Sequence, residues 1–421
     1  MIQDKKKSIY PWVVVGLLWM VALLNYMDRQ MLSTMRSSMM VDIKELESAE
    51  NFGRLMAVFL WIYGFISPVA GLVADKFSKK RLIICSLGVW SGVTLLMGYV
   101  HSFSVLYILR AIMGISEALY IPAGLALIVE YHKGNTRSLA IGIHMTGLYL
   151  GQAIGGFGAT LAHRFSWQTA FHTFGLIGVI YSFVLMLFLK DHEREKSNPN
   201  TSDYKPSKNK IEGLKSVYRS LGTILGTISF WIILFYFAAP SFPGWATKNW
   251  LPTLFSISLG LDMTIAGPLA TITIAASSFI GVIFGGILAD RWIGRNIRGR
   301  IYTGAIGLFL MIPALLLLGF GKEAFTIVGG GILFGIGFGM FDANNMPILC
   351  QFISSQHRAA AYGLMNMTGV FAGAFITNLL GKSTDSGHLG KDMALLAIPV
   401  AIAVILQLTI LKPVVANKTE D

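Results

Sequence analysis

Long apolar runs alternate with short polar segments along almost the whole chain, and each run is close to the length of about twenty residues that a helix needs to cross a bilayer. The pattern predicts twelve membrane-spanning helices, at 11–33, 53–75, 82–100, 104–131, 138–162, 169–190, 224–257, 264–290, 301–320, 324–351, 357–381 and 390–412. The seventh run contains Pro240, Pro243, Gly244 and Pro252, so we expect a broken helix there. The predicted fold class is an all-α integral membrane protein.

Composition agrees with this prediction. Of the 421 residues, 54% are hydrophobic and only 13% are charged, which is about half the charged fraction of soluble domains. The net charge of +12 comes from lysines and arginines in alternate short loops. That distribution is the positive-inside pattern, so we expect both termini in the cytoplasm and no nucleic-acid partner. Cys85 and Cys350 lie within or beside apolar runs and predict no disulfide, and no cofactor or metal is expected.

The one long polar segment divides the runs six and six. We therefore predict an N-terminal lobe at 1–190, a cytoplasmic linker at 191–222 and a C-terminal lobe at 223–421. After the second run of each lobe a pattern recurs, as Gly71-Leu72-Val73-Ala74-Asp75-Lys76 and Gly286-Ile287-Leu288-Ala289-Asp290-Arg291. Two parallel six-helix repeats are the architecture of major-facilitator transporters. We expect the two glycines to allow close helix crossing and the charged residues to form gate contacts on the cytoplasmic side.

An adjacent acid and base, Asp28 and Arg29, follow Asn25 and Tyr26 near the end of the first run. Ionisable residues inside a membrane usually face a bundle interior or a watery cavity and serve a function. The alternative is that the pair lies at the membrane edge, where it would simply end the helix among solvated headgroups.

A second acid and base lie deep inside the fourth run. Arg110 and Glu117 are seven residues apart, which places them on one helical face two turns from each other. They could form a permanent structural ion pair. They could also form a titrating site, because low dielectric favours a neutral acid, a neighbouring arginine favours the charged acid, and an anion competing for that arginine would couple protonation to binding.

Further polar residues within the runs are candidate substrate ligands. They are expected to face a central cavity or another helix, since unpaired amides are costly in lipid. The predicted ligands are Tyr63, Tyr149, Gln152, Trp250, Asn344, Asn345 and Asn366, with Ser67, His144, Asn249 and Asp342 close to them in the chain.

Three of these segments resemble motifs of the anion:cation symporter family within the major facilitator superfamily. The segment Asn25-Tyr26-Met27-Asp28-Arg29-Gln30-Met31-Leu32-Ser33 resembles the family pattern N-Y-x-D-R-x-x-L-S. Arg110, Gly114, Glu117-Ala118 and Pro122 resemble R-x-x-x-G-x-x-E-A-P-x-x-P, with Leu119 in place of the first proline. Ser166-Trp167-Gln168-Thr169-Ala170-Phe171 resembles G-W-R-x-x-F, with Gln168 in place of the arginine. The acid and base motifs are also similar to those of spinster-type lipid transporters.

The resemblance implies roles for individual residues. Asp28 and Glu117 would be the acids that carry coupling protons, and Arg29 and Arg110 would modulate them or meet a substrate carboxylate. Tyr63 and Gln152 would be cavity ligands, with Asn366 as a partner from the other half. The family imports sugar acids together with protons, so a sugar acid is the implied substrate.

The resulting expectation is a monomeric secondary transporter of the bacterial inner membrane, which moves protons and a small organic anion such as a hexuronate or aldonate by alternating access. One alternative is a carrier of neutral sugars or glycan fragments, because aromatic residues such as Trp61 and Trp245 permit sugar stacking. Another is a spinster-like exporter of lysolipids, and a third is a membrane sensor that binds without flux. The chain shows no nucleophile elbow, metal cluster or phosphate loop, so an enzyme is not expected.

Overall fold

The computed structural model describes residues 9–132, 136–191, 226, 228–353 and 358–411, and the regular structure of these residues is helical. The first eight helices are α1 Tyr10–Leu32, α2 Arg36–Met39, α3 Ala49–Lys76, α4 Lys79–Met97, α5 Phe103–Tyr131, α6 Arg137–Gly155, α7 Gly158–Arg164 and α8 Trp167–Phe188. The remaining helices are α9 Ile228–Leu259, α10 Met263–Ile293, α11 Gly299–Phe320, α12 Ala324–Asp342, α13 Asn345–Phe352, α14 Arg358–Asp385, α15 Leu389–Leu395 and α16 Ala397–Thr409. Of the predicted linker at 191–222, only Asp191 belongs to the described residues.

Each of the twelve predicted spans coincides with helix, which confirms the all-α membrane fold. Ten stretches of the described chain are long and apolar enough to cross a bilayer. Three of the predicted spans are each built from two consecutive helices, namely α6 with α7, α12 with α13 and α15 with α16.

The prediction of a broken seventh span is wrong. Helix α9 runs without interruption from Ile228 to Leu259 with all three prolines inside it. A proline removes one backbone hydrogen bond, and a transmembrane helix tolerates this loss because neighbouring helices and hydroxyl side chains support the freed groups. The hydroxyl of Ser241, one residue after Pro240, donates to the carbonyl of Phe237 at 2.7 Å.

The described residues form two compact units. The first consists of the described residues of Met1–Glu47, Val69–Glu193 and Met263–Ile272. The second consists of those of Ser48–Pro68, Arg194–Asp262 and Thr273–Asp421. Helices α3 and α10 are therefore each divided between the two units. The predicted lobes, with boundaries at 190 and 223, do not divide any helix in this way.

Neighbouring helices repeat between the two halves of the chain. In the first half α1 packs on α6, and α4 packs on both α5 and α8. In the second half α9 packs on α14, and α11 packs on both α12 and α16. If the spans of each half are numbered from one to six, both halves pair span 1 with span 5, and span 3 with spans 4 and 6. A parallel six-helix repeat requires this correspondence.

Helix α1 lies at the centre of the first unit. Val14, Leu18 and Asn25 on this helix have no exposed surface. The hydroxyl of Tyr120 on α5 donates to the carbonyl of Leu18 at 2.8 Å, and a tyrosine on α8 donates to the neighbouring carbonyl of Leu17 at 2.9 Å. These bonds between helices fix the depth and rotation of α1, which carries the first acid and base.

Small residues let α6 approach the backbone of α1. One face of α6 carries glycines at intervals of four residues, which are Gly147, Gly151 and Gly155. A Cβ atom on Gly147 would lie 2.7 Å from the carbonyl oxygen of Trp19, and one on Gly155 would lie 2.7 Å from that of Met27. Between them, a Cβ atom on Gly151 would overlap the carbonyl of Leu23. Helix association in lipid depends on such close packing, because there is little hydrophobic force between spans.

The first part of α3 packs along α14 within the second unit. The carboxylate of Asp385 on α14 accepts hydrogen bonds from the backbone N–H groups of Ala49 and Glu50, at 2.7 and 2.9 Å, at the start of α3. A carboxylate at this position satisfies free N–H groups and complements the helix dipole. One turn further, a Cβ atom on Gly53 would lie 2.9 Å from the carbonyl oxygen of Thr377.

A matched pair of substitutions on α6 tests the glycine contact. Gly151→Ala should lower the free energy of unfolding by about 1–3 kcal/mol, because the new methyl group forces α6 away from α1. Gly142→Ala on the same helix should leave stability unchanged or raise it, since a Cβ atom there meets none of the described residues within 4 Å. Thermal unfolding of the purified protein in detergent measures both changes, and equal effects at the two positions would contradict the proposed contact.

Candidate functional site

The four charged residues of the two motifs lie together in the first unit. Asp28 and Arg29 are on α1, and Arg110 and Glu117 are on α5. Asp28 is 6% exposed, Arg110 3% and Glu117 0%, and the side chain of Arg29 is 12% exposed. The alternative in which Asp28 and Arg29 end a helix among headgroups is therefore wrong, because bulk solvent does not surround them.

An ion pair between Arg29 and Glu117 joins the motif on α1 to the motif on α5. Nε of Arg29 donates to the carboxylate of Glu117, so α1 and α5 are linked by a salt bridge. Adjacent residues on a helix do not face each other, so Asp28 and Arg29 are directed towards different neighbours. Arg110 and Glu117 are about 10 Å apart along the helix axis at 1.5 Å per residue, which is too far for an ordinary pair within α5.

Asp28 and Arg110 have other direct contacts. The hydroxyl of Thr94 on α4 donates to the carboxylate of Asp28 at 3.0 Å. One terminal nitrogen of Arg110 donates to the sulfur of Met113, one turn later on α5, at 3.0 Å. Both residues also interact electrostatically with Glu117. The group therefore contains two acids and two bases that respond to one another's charge.

This arrangement can couple a proton to an anion. With both acids ionised, the formal charges of the two carboxylates and the two arginines cancel. When either acid takes up a proton, the group gains a net positive charge in a medium of low dielectric, where Coulomb interactions are strong. An anion then restores neutrality, so protonation and anion binding favour each other.

The predicted ligands on α6 also belong to the first unit. Gln152 is buried at 5% exposure and His144 at 0%, whereas Tyr149 is partly buried. The ring of His144 lies 6.1 Å from the ring of Tyr120, within the contact that holds α5 against α1. His144 therefore packs in the interior of the unit.

Two predicted ligands belong to the second unit. Tyr63 and Ser67 lie on the first part of α3, and Asn366 lies on α14. The amide of Asn366 donates to the hydroxyl of Ser67 at 3.0 Å, and the ring of Tyr63 lies 5.9 Å from that of Phe59. The hydrogen bond places the amide of Asn366 beside the face of α3 that carries Tyr63 and Ser67.

The structure gives Trp250 and Asn344 packing roles in place of the predicted substrate contacts. Trp250 has no exposed surface, because its indole N–H donates to the carbonyl of Thr377 at 3.0 Å and its ring packs edge-on against Phe52. Asn344 is 1% exposed and its amide donates to the carbonyl of Met340 at 2.8 Å, at the end of α12. Neither side chain has a free surface to offer to a substrate.

Sequence reasoning missed a cation in the second unit. Lys248 lies inside α9, with Nζ 5.0 Å from the ring centre of Trp245 and 5.5 Å from that of Phe338. It interacts electrostatically with Asp342, which also accepts a hydrogen bond from the amide of Asn345 at 3.3 Å. The signal that identifies Arg110, an ionisable residue in an apolar run, is present at Lys248 as well.

The close helix crossing expected at the repeated glycines stays a prediction. Among the described residues, a Cβ atom on Gly71 or on Gly286 would meet nothing within 4 Å, whereas one on Gly151 would meet the backbone of a neighbouring helix.

The charged residues of the repeated pattern are described only in part. Asp75 and Lys76 end helix α3, and their side chains lie outside the described part of the chain. In the second copy, Asp290 and Arg291 are exposed near the end of α10, and the carboxylate of Asp290 lies 3.8 Å from the guanidinium of Arg300. Exposed pairs of this kind contribute little to stability.

Comparisons with known proteins agree with this architecture. Residues 18–377 match the model of the Major Facilitator Superfamily. The "Hexuronate transporter" of Escherichia coli is 26% identical over 92% of this chain and 90% of its own length. The "Probable galactarate/D-glucarate transporter GudP" of Escherichia coli is 24% identical over 88% of this chain and 86% of its own. A crystal structure of a bacterial homologue of the human lysosomal transporter Spinster matches with a TM-score of 0.77 at 17% identity, over 94% of this chain and 96% of that one.

The fold and the site together define a class of protein. It is helical, it has multiple membrane spans in two repeated halves, and it contains a buried group of acids and bases. The match over residues 18–377 shows the family, and the chain belongs to the Major Facilitator Superfamily. Its relatives include hexuronate and galactarate/D-glucarate transporters, which confirms the resemblance seen in the motifs. The Spinster-like structure supports the fold.

The ion pair between α1 and α5 gives a stability prediction. Arg29→Gln leaves Glu117 buried without its cation, so the free energy of unfolding should fall by about 3–5 kcal/mol at neutral pH. Arg29→Gln combined with Glu117→Gln should recover a large part of that loss, because no unpaired charge remains. Unfolding in mixed detergent micelles measures the difference.

The exposed pair Lys44–Glu47 provides the control, and Lys44→Gln should change stability by less than about 1 kcal/mol. A double variant that is as unstable as Arg29→Gln alone would show that Glu117 does not depend on Arg29.

Proposed function

We propose that this protein is a proton-coupled symporter of a small organic anion, a sugar acid such as a hexuronate or an aldarate, and that it works by alternating access. The observation that carries the proposal is the buried ion pair of Arg29 with Glu117, which lies in electrostatic contact with Asp28 and Arg110. A purely structural pair would need one acid and one base, whereas this group brings together two of each, with Asp28, Arg110 and Glu117 buried and Arg29 12% exposed.

The proposed cycle follows from charge balance. A proton from the outside neutralises Asp28 or Glu117 and leaves an arginine charge uncompensated. The carboxylate of the substrate binds that arginine, and the loaded site is again close to neutral. Release of the proton on the inside restores the internal ion pairs and expels the anion. The membrane potential adds about 2.3 kcal/mol per 100 mV for each net positive charge that enters.

The substrate class is supported by two independent lines. A cation is the natural partner of a carboxylate, and an arginine can hold its two oxygens at once. The relatives named as hexuronate and galactarate/D-glucarate transporters are similar over about nine tenths of their length. Tyr149, Gln152, Tyr63 and Asn366 are the proposed ligands for the sugar hydroxyl groups.

The remaining proposals concern placement and gating. We assign Asp75 and Lys76, together with Asp290 and Arg291, to contacts that open and close during the cycle, because the same pattern ends the second span of each half. The distribution of basic loops supports an inner-membrane location with both termini in the cytoplasm. We propose that a single chain is the working unit.

Reconstitution into proteoliposomes tests the coupling. With the outside more acidic than the inside, the wild type should accumulate labelled D-glucuronate or D-glucarate, because each proton that crosses one unit of pH difference supplies about 1.4 kcal/mol, a tenfold concentration ratio. Asp28→Asn and Glu117→Gln should abolish this accumulation but still exchange labelled for unlabelled substrate. Glu45→Gln, in the exposed loop before α3, should behave as the wild type.

Accumulation that persists unchanged in both acid variants would refute proton coupling through these residues. Transport of neutral sugars or of lysolipids in place of sugar acids would refute the substrate class. Binding without flux of any of the three compound classes would indicate a sensor.

A further inference from the structure

His144 is a titratable residue in the interior of the first unit that the mechanism above does not use. It lies on α6 and has no exposed surface. Among the described residues, at least one of its two ring nitrogens has no hydrogen-bond partner. A buried polar atom without a partner is unfavourable for folding, and native proteins contain few of them, so a histidine at this position calls for an explanation.

The surroundings of His144 connect it to the buried acids. Its ring lies 6.1 Å from the ring of Tyr120 on α5. Both side chains approach the carbonyl of Leu18 on α1, to which the hydroxyl of Tyr120 donates at 2.8 Å. Tyr120 comes three residues after Glu117, so the two side chains share one face of α5. Tyr120 is therefore a neighbour of both His144 and Glu117.

A second buried polar atom borders Tyr120. The ring of Trp90 on α4 lies 5.6 Å from that of Tyr120, and Trp90 has no exposed surface. Its indole N–H has no hydrogen-bond partner in the part of the chain that the structure describes. Polar atoms of this kind commonly bind internal water, which can bridge groups that do not touch. The neighbourhood of Tyr120 therefore has the polar groups that a proton needs to move between Glu117 and His144.

His144 lies nearer than Glu117 to one end of the first unit. It is about 10 Å along the helix from Arg137, at the start of α6, whereas Glu117 is about 21 Å from Tyr131, at the end of α5. These two helix ends follow each other closely in the chain and lie on the same side of the membrane. The proposed orientation makes that side cytoplasmic.

We propose that His144 is the relay that carries the coupling proton from Glu117 towards the cytoplasm. The inference rests on the proposed function. The proton leaves the carboxyl group of Glu117, passes along the hydroxyl of Tyr120 and binds one ring nitrogen of His144, and the other nitrogen then releases its own proton on the cytoplasmic side. The carboxylate left on Glu117 returns to its ion pair with Arg29. Imidazole suits this task because it gains and loses a proton near physiological pH.

The other groups around His144 do not compete for this proton. Tyr120 from α5 faces it, and Tyr181 from α8 donates to the neighbouring carbonyl of Leu17, and both tyrosines are neutral at physiological pH. Towards the end of α5, Glu130 is paired with Lys79 at 2.8 Å. The remaining charged residues within α1 and α5 are the two acids and two arginines of the site, among which Glu117 shares a helix face with Tyr120.

Proteoliposomes with labelled D-glucuronate separate proton release from substrate movement. Net uptake driven by an acidic outside requires a proton to leave on the inside in every cycle, whereas exchange of labelled for unlabelled substrate lets the protein keep its proton. His144→Phe keeps a ring against Tyr120, and His144→Gln keeps a polar group. Both should lower the initial rate of net uptake by about tenfold or more and that of exchange by less than about twofold, because positioned proton-transfer groups typically contribute about 10²-fold or more. Net uptake by both variants should also show a larger solvent deuterium isotope effect than that of the wild type.

His101→Gln serves as the matched control, because His101 is exposed between α4 and α5, and it should leave both rates and the isotope effect unchanged. Thermal unfolding shows whether each variant is folded, and the folded variant decides if only one of them folds. A normal rate of net uptake, an equal fall in uptake and exchange, or an isotope effect equal to that of the wild type would each overturn the relay while the proposed function stands. Absence of proton-driven sugar-acid uptake by the wild type would refute the proposed function itself.

Discussion

A salt bridge in a medium that cannot solvate charge organises the first unit. Glu117 is completely buried, and its carboxylate is compensated by Arg29 from another helix. The bridge requires α1 to sit at a fixed depth and rotation beside α5. The tyrosine hydroxyls that donate to the carbonyls of Leu17 and Leu18 supply that restraint. The glycine face of α6 packs against another side of α1. The packing around α1 therefore fixes the position of Arg29.

The second unit compensates a charge within the membrane in a different way. Lys248 is flanked by aromatic rings and accompanied by the exposed carboxylate of Asp342, whereas the first unit hides its acids almost completely. Arginine suits the first arrangement because its planar group keeps its charge when buried. Lysine suits the second because a compact ammonium group fits against ring faces.

Much of the fold was predictable, because the bilayer sets one length for every span and the chain repeats it twelve times. The pairing partners of the charged residues were not predictable from their spacing in the sequence. Asp28 and Arg29 are adjacent in sequence yet are directed to α4 and α5, so the pairing of charges depended on tertiary structure. Lys248 lies inside an apolar run as Arg110 does, but its aromatic and acidic neighbours come from α9 and α12 and are brought together only by the fold. Trp250 is a predicted ligand because its indole N–H lies within an apolar run, and its complete burial reveals a packing role.

The salt bridge between the first and fourth spans has a consequence for biogenesis. During synthesis Arg29 is made long before Glu117, because α3, α4 and the first half of α5 must still be translated. Through that interval α1 holds two charges close to its end, where they can reach the headgroups by snorkelling. Helix α5 cannot do the same, since Arg110 and Glu117 lie well within it. The nascent α5 therefore leaves the translocon most favourably when it docks on α1 at once, which makes assembly of this unit part of its insertion.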